Sequence, residues 1–138
     1  MAPLIAVVDS GPLYAAADLD DADHDAVLTA LASDDLHLVI PTLVVAEVTY
    51  FIGSRLGPTA EARFLTGLAD MDVEAPSPSD WHRIGELVEQ CGDFPLGGTD
   101  ASVIALAERL GTPTIVTLDR RHFSAVRPRH CDALTLLP

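Results

Sequence analysis

Lysine is absent from this chain. All eight basic side chains are arginines, and none of them falls within the first 50 residues. Acids outnumber them 21 to 8, for a formal net charge of −13. That balance excludes a protein that grips nucleic acid through a broad basic surface, but not one with a small, local phosphate site. Long apolar runs are missing too: no stretch approaches the roughly 20 residues that span a bilayer. The opening MAPLIAVVDSG has neither the basic segment nor the long apolar region of a signal peptide. We therefore expect a cytoplasmic protein with no membrane partner. There are only two cysteines, Cys91 and Cys131, with no CxxC and no paired Cys/His spacing. Reduced thiols are the expectation, not a zinc site or a disulfide framework. Repeats, linkers and low-complexity tracts are also absent, so 138 residues with 49% hydrophobic content read as one domain over residues 1–138.

What is present is organised around LGGTDASVIALAERLGTPTIVTLDRRHF, residues 96–123. After Gly97 and Gly98, Thr99 or Asp100 is expected to cap a helix, because Val103, Ile104, Ala107 and Leu110 recur at helical spacing. Gly111 ends it. Thr114 to Leu118 is a β-branched run with little polarity, expected to form a strand buried on both faces, and Asp119 follows directly. One carboxylate thus opens a helix and another closes a strand, and in open parallel sheets chemistry sits beyond the carboxyl ends of strands. Capping accounts for either aspartate equally well when each is taken singly. A catalytic reading therefore needs further carboxylates at the same end of the sheet.

The rest of the chain supplies them. Leu4 to Val8 is a continuous apolar run, expected to be a central parallel strand, and it ends at Asp9. Ser10, Gly11 and Pro12 turn the chain into a short helix through Leu13 to Ala17. After the acidic stretch Asp18, Asp20, Asp21, Asp23 and Asp25, which reads as a solvated loop and helix start, a helix runs to about Ser33. His37 to Ile40 forms a second strand, His37 being only an edge polar group. From Pro41 and Thr42 a helix runs that is apolar nearly all round, and Glu47 is its only charged residue before Arg55. A lone carboxylate inside an apolar helix is costly unless something pairs with it: either an arginine or a site. Pro58 opens a helix through Leu68, making a helical hairpin with a turn at Gly57. Val73 to Ala75 reads as an edge strand. Pro78, Ser79 and Asp80 open a helix ended by Gly92, with Trp81 and His82 packing. Asp93 stands seven residues before Asp100 as a supporting acid, and Leu134 to Leu137 reads as a last edge strand.

Asp9, Glu47, Asp100 and Asp119 drawn into one crevice would repel one another and raise some of their pKa values unless a cation neutralised them. All-oxygen ligands favour Mg²⁺ or Mn²⁺ over zinc. Such an ion lowers the pKa of a bound water and stabilises charge on a phosphodiester. It also supplies the positive field that this acidic protein lacks.

The segments VVDSGPL, AEVTY, GGTDASVIALAERLG and TIVTLDRRHF, in that order over nearly the whole chain, resemble the PIN-domain nucleases, and within them the VapC-type toxins of bacterial toxin–antitoxin pairs. The resemblance implies a three-layer α/β/α sandwich with a mostly parallel sheet and Mg²⁺-dependent cleavage of RNA, Mn²⁺ being able to substitute. It further implies homodimerisation and inhibition by a cognate antitoxin. It assigns Asp9, Glu47, Asp100 and Asp119 as catalytic and metal-binding acids, with Ser10 and Thr117 as assisting hydroxyls. Asp9 and Asp100 would hold the principal ion, Asp119 would extend its shell, and Glu47 would orient or deprotonate water. Arg120 and Arg121, with Arg127 and Arg129, are either phosphate contacts or solvated surface. An apolar groove between the hairpin and the early helices would suit an antitoxin helix. Two other α/β classes fit worse: a phospho-receiver domain needs a lysine that this chain lacks, and a haloacid-dehalogenase-like phosphohydrolase needs an aspartate where Gly11 stands. A PIN-like module that binds a partner without catalysis is the alternative.

Overall fold

In a computed structural model, which describes residues 2–93 and 96–138, five strands form a single sheet in the order β3-β2-β1-β4-β5 with every pairing parallel. The strands are β1 (Leu4–Val8), β2 (Leu36–Pro41), β3 (Asp72–Glu74), β4 (Thr114–Val116) and β5 (Thr135–Leu137). The helices are α1 (Ser10–Ala17), α2 (His24–Leu31), α3 (Thr42–Leu56), α4 (Pro58–Gly67), α5 (Pro78–Gln90), α6 (Gly98–Leu110) and α7 (Arg120–Ala125), with a 3₁₀ turn at Leu68–Asp70. The sequence expectation of a mostly parallel sheet becomes a wholly parallel one.

Handedness turns this order into layers. The chain moves outward from β1 to β2 to β3, then jumps back across the sheet to β4, and right-handed crossovers put the helices of these two journeys on opposite faces. Accordingly α1 packs on α2 and α3, and α3 on α4, while α5 packs on α6 and α6 lies against β1, β2 and β4. The result is an α/β/α sandwich. Its strand order reverses between β1 and β4, and there the carboxyl ends of neighbouring strands diverge into a crevice.

Burial deepens toward that crevice. Leu4 is exposed and Ile5 half-buried, whereas Ala6, Val7 and Val8 are fully buried; β2 closes in the same way on buried Val39 and Ile40. The α6 helix is buried continuously from Ala101 to Ala107, and its alanines let it lie close on the sheet. Two ion-pair clamps hold it in place. Arg83 of α5 forks onto Glu108 (Nε–Oε1 2.7 Å, Nη2–Oε2 3.0 Å), and Arg109 donates to Asp80 (2.8 Å) and Glu74 (2.9 Å). Asp80 also closes a capping box with Ser77 at the start of α5. Gly111 ends α6 at φ 67°, a left-handed conformation that suits glycine.

Several expectations need correction. The α6 helix begins two or three residues earlier than expected, with Gly97 as its N-cap, so neither Thr99 nor Asp100 caps it. On α3 only the stripe Val44, Val48 and Ile52 is buried, and Tyr50 is 68% exposed, so the helix is not enclosed. Trp81 is 53% exposed and His82 is exposed, so neither packs into the core. The α5 helix spends its buried face on Ile84 and Leu87 instead. Of the segment CGDFPLGG, Phe94 and Pro95 lie outside the described residues.

Candidate active site

The crevice begins where β1 and β4 stop side by side, Val7 beside Ile115 and Val8 beside Val116. The Asp9 N–H donates to the Val116 carbonyl (2.9 Å), so the ladder carries Asp9 one residue past the strand. Asp9 is only 5% exposed. Its Oδ2 accepts a hydrogen bond from the Thr117 hydroxyl (2.8 Å), and the Thr117 Oγ1 in turn accepts from the Asp119 N–H (2.9 Å). One buried hydroxyl therefore ties the Asp9 carboxylate at the end of β1 to the Asp119 backbone beyond β4. The other Asp9 oxygen, Oδ1, is buried with no hydrogen-bond partner among the described residues, as is the Ser10 hydroxyl beside it.

Two helices bring the remaining acids. Asp100 stands in the first turn of α6 and makes no capping bond to its own helix, so capping does not explain it. Glu47 is half-buried on α3, a turn beyond buried Val44. Asp119 does cap: its Oδ1 accepts from the His122 N–H at the start of α7 (3.0 Å), while its Oδ2 is bonded to the His122 ring at Nδ1. The structural role weighed for Asp119 from sequence is thus real, and it coexists with membership of the acidic group.

The four acids act on one another through space. Burial drives the Asp9 carboxyl upward, and Glu47 and Asp119 add to this against the Ser10 N–H and the Thr117 hydroxyl, which favour the carboxylate. Asp100 is pushed up to about 6, first by burial and then by the charges of Asp9 and Asp119, with a smaller part from Glu47 and an opposing influence from His122. Acids separated by up to 110 positions in the sequence thus share one electrostatic neighbourhood.

These observations satisfy the requirements of a divalent cation. A buried carboxylate oxygen without a donor is costly, and neighbouring carboxyls raised together are what a cation relieves. Carboxylates of Asp100 and Asp119, with the His122 ring, offer donor atoms that all lie within 4.8 Å of one another. Sequence reasoning missed His122. The only trace of it was its place three residues after Asp119, where a helix N-cap brings the side chain of the first turn back over the cap.

Other expected residues separate. Asp93 is exposed in the turn after α5. Arg120 and Arg121 are exposed at the start of α7, beside Asp119, and Arg120 donates to the carbonyl of Pro138. Arg129 does not join them. It bonds Glu86 through Nη2 (2.7 and 3.1 Å), and its N–H donates to Glu108 (2.7 Å), near the end of α6 opposite Asp100. A long-range pairing with two acids has drawn it away.

A PIN-domain family model matches residues 6–127. Ribonuclease VapC26 of Mycobacterium tuberculosis is 36% identical over 134 residues, covering 96% of this chain and 99% of that protein. Among solved structures, the M. tuberculosis sarcin–ricin loop cleaving toxin VapC20 aligns over 80% of this chain and 86% of its own, with TM-score 0.75 and 18% identity. VapBC2 from Rickettsia felis, bound to a DNA fragment from its promoter, aligns over 98% of this chain and 100% of its own (TM-score 0.70, 19% identity). The chain is accordingly a PIN domain, and its sheet is that of the fold. Near-complete coverage at 36% identity narrows this further: the chain belongs to the VapC ribonuclease family of toxin–antitoxin toxins.

Proposed function

We propose that this chain is a divalent-metal-dependent endoribonuclease in which Asp9, Glu47, Asp100 and Asp119 form the catalytic and metal-binding set, and that a cognate antitoxin inhibits it. The observation that carries this reading is the buried Oδ1 of Asp9, without a hydrogen-bond partner among the described residues, in a crevice where burial raises the carboxyls of Asp9 and Asp100. Asp9 and Asp100 would hold the ion, Mg²⁺ or Mn²⁺, with Asp119 extending its shell. When bound, such an ion lowers the pKa of a water and offsets the charge that builds on a phosphodiester.

The remaining work belongs to the chain's own residues. Thr117 holds the Asp9 carboxylate in one orientation by donating to Oδ2, while Oδ1 has no partner among the described residues. Glu47, half-buried on α3, orients the attacking water and accepts its proton. Arg120 and Arg121 stand at the exposed rim beside Asp119, where guanidinium groups suit RNA phosphates. Ser10, buried beside Asp9, favours the Asp9 carboxylate through its N–H.

A cavity of about 380 Å³ between α1, α4 and the 3₁₀ turn, lined by Leu13, Ile40, Phe64, Leu68 and Met71, supports the antitoxin part of the proposal. Its apolar walls suit the apolar face of a helix. A homodimer completes the reading, and sedimentation of the purified chain tests it. The main experiment incubates antitoxin-free protein with total cellular RNA, with Mg²⁺ or with EDTA, alongside Asp9→Asn and Asp100→Asn. Discrete fragments that vanish in EDTA and in both variants are expected. Intact RNA in every lane, with no ion binding by calorimetry, would instead favour a module that only binds a partner.

A further inference from the structure

His122 occupies a place that four carboxylates leave unexplained. It is the third residue of α7, and Phe123, the next, is 1% exposed and anchors that helix in the core. With α7 held there, the His122 side chain folds back over the helix start onto Asp119 instead of extending into solvent. Its influence also reaches Asp100. A span of 4.8 Å among donors of Asp100, Asp119 and His122 is one that a single ion with bonds of about 2.1 Å closes by small side-chain rotations. Asp9, 5% exposed and with an Oδ1 that has no hydrogen-bond partner among the described residues, is an independent sign of a ligand at the same crevice.

We infer that His122 is a direct ligand of the metal, so that the centre combines an imidazole nitrogen with carboxylate oxygens and selects Mn²⁺ over Mg²⁺. This rests on the metal-nuclease reading above and extends it. Mg²⁺ dehydrates reluctantly and gains little from exchanging water for imidazole, whereas Mn²⁺, of equal charge and higher in the affinity series, accepts nitrogen while keeping an oxygen-rich shell. With oxygen ligands alone, the two ions would differ much less.

Pulsed electron paramagnetic resonance of the Mn²⁺-loaded protein tests the proposal without relying on activity, together with displacement of Mn²⁺ by Mg²⁺. In the parent protein, nitrogen hyperfine coupling to Mn²⁺ is expected, with an excess of Mg²⁺ on the order of 100-fold needed for displacement. His122→Asn retains an N–H within reach of Asp119 but has no ring nitrogen. It should lose the coupling and narrow the Mn²⁺ preference about tenfold or more, with an unchanged circular dichroism spectrum. A parent Mn²⁺ complex without nitrogen coupling, or an unaltered preference in His122→Asn, would overturn the proposal and leave His122 as a positioning residue for Asp119. The underlying metal-nuclease reading fails differently: the parent protein would bind no Mn²⁺, or Asp9→Asn and Asp100→Asn would bind it as the parent does.

Discussion

Crowding of carboxyls at the crevice has a measurable cost that an ion should remove, and Asp100 is the group on which to measure it. Its carboxyl titrates at about 6 in the fold against 3.8 for the free side chain. An acid whose pKa is raised by folding contributes stability while protonated. That contribution is complete below the unfolded value and is lost as pH climbs through the folded one. For Asp100 the loss falls between roughly pH 4 and 6. The full shift would correspond to about 3 kcal/mol, and solvent screening of this half-buried group reduces it to about 1–2 kcal/mol. In a chain of this size that is about 3–7 °C of melting temperature. The assay is a series of thermal melts of metal-free protein across roughly pH 4 to 7, for the parent and for Asp100→Asn, which keeps the side chain's size and removes its titration. General repulsion among the 21 acids acts on both proteins, so the difference between the curves isolates Asp100. The parent should lose more stability with rising pH, and at neutral pH a saturating divalent ion at about 100 times its Kd should restore about 2.7 kcal/mol. Parallel curves for the two metal-free proteins would refute the account of Asp100 as a buried, charge-crowded carboxyl.

Three further outcomes follow from named contacts. Thr117→Val removes the donor to Asp9 and the acceptor for the Asp119 N–H at a site 1% exposed; a loss of about 1–3 kcal/mol in urea unfolding is expected. Thr117→Ser should recover most of the stability and the cleavage rate. Glu108→Ala strands the Arg83 guanidinium and the Arg129 N–H, and both side chains of the Arg83–Glu108 fork are only 10% exposed; a cost of about 2–4 kcal/mol is expected in chemical denaturation. Burial pushes the Glu108 carboxyl up, but the Arg83 hydrogen bonds and the Arg129 N–H outweigh it and hold it below 4.5. The fork's contribution is therefore present above pH 4.5 and lost on acidification, opposite in sign to that of Asp100. Finally, Arg121→Ala should weaken RNA retention across sequences and lower the salt dependence by about 0.7 in log–log slope, measured by filter binding with a cleavage-dead variant.

The elements that frame the crevice were legible because their signals are local. Leu4–Val8 and Thr114–Leu118 are short apolar runs ended by an aspartate, and a strand buried on both faces has to be such a run, although the second strand stops at Val116 and leaves Leu118 36% exposed. Gly111 marked the end of α6 because its backbone adopts φ 67°. Boundaries were less legible, as the early start of α6 shows: cap preference favours Asp100 in the Gly-Gly-Thr-Asp string, yet Gly97 takes the cap position. Trp81 read as core because its size suggests burial, yet α5 already fills that face with Ile84 and Leu87.

The sequence by itself determined which carboxylates close strands and open helices, because apolar periodicity and turn chemistry are properties of neighbouring residues. Tertiary structure decided which of those acids meet. Only the reversal of strand order between β1 and β4 sets Asp9 beside Thr117, and only the packing of α6 and α3 brings Asp100 and Glu47 within electrostatic reach. The same holds for the two arginine and histidine assignments that sequence could not make. His122 turns inward because Phe123 is buried, and Arg129 leaves the rim because Glu86 and Glu108 draw it to the far end of α6. Contacts of this kind depend on distances that the fold closes, and residue spacing along the chain carries no record of them.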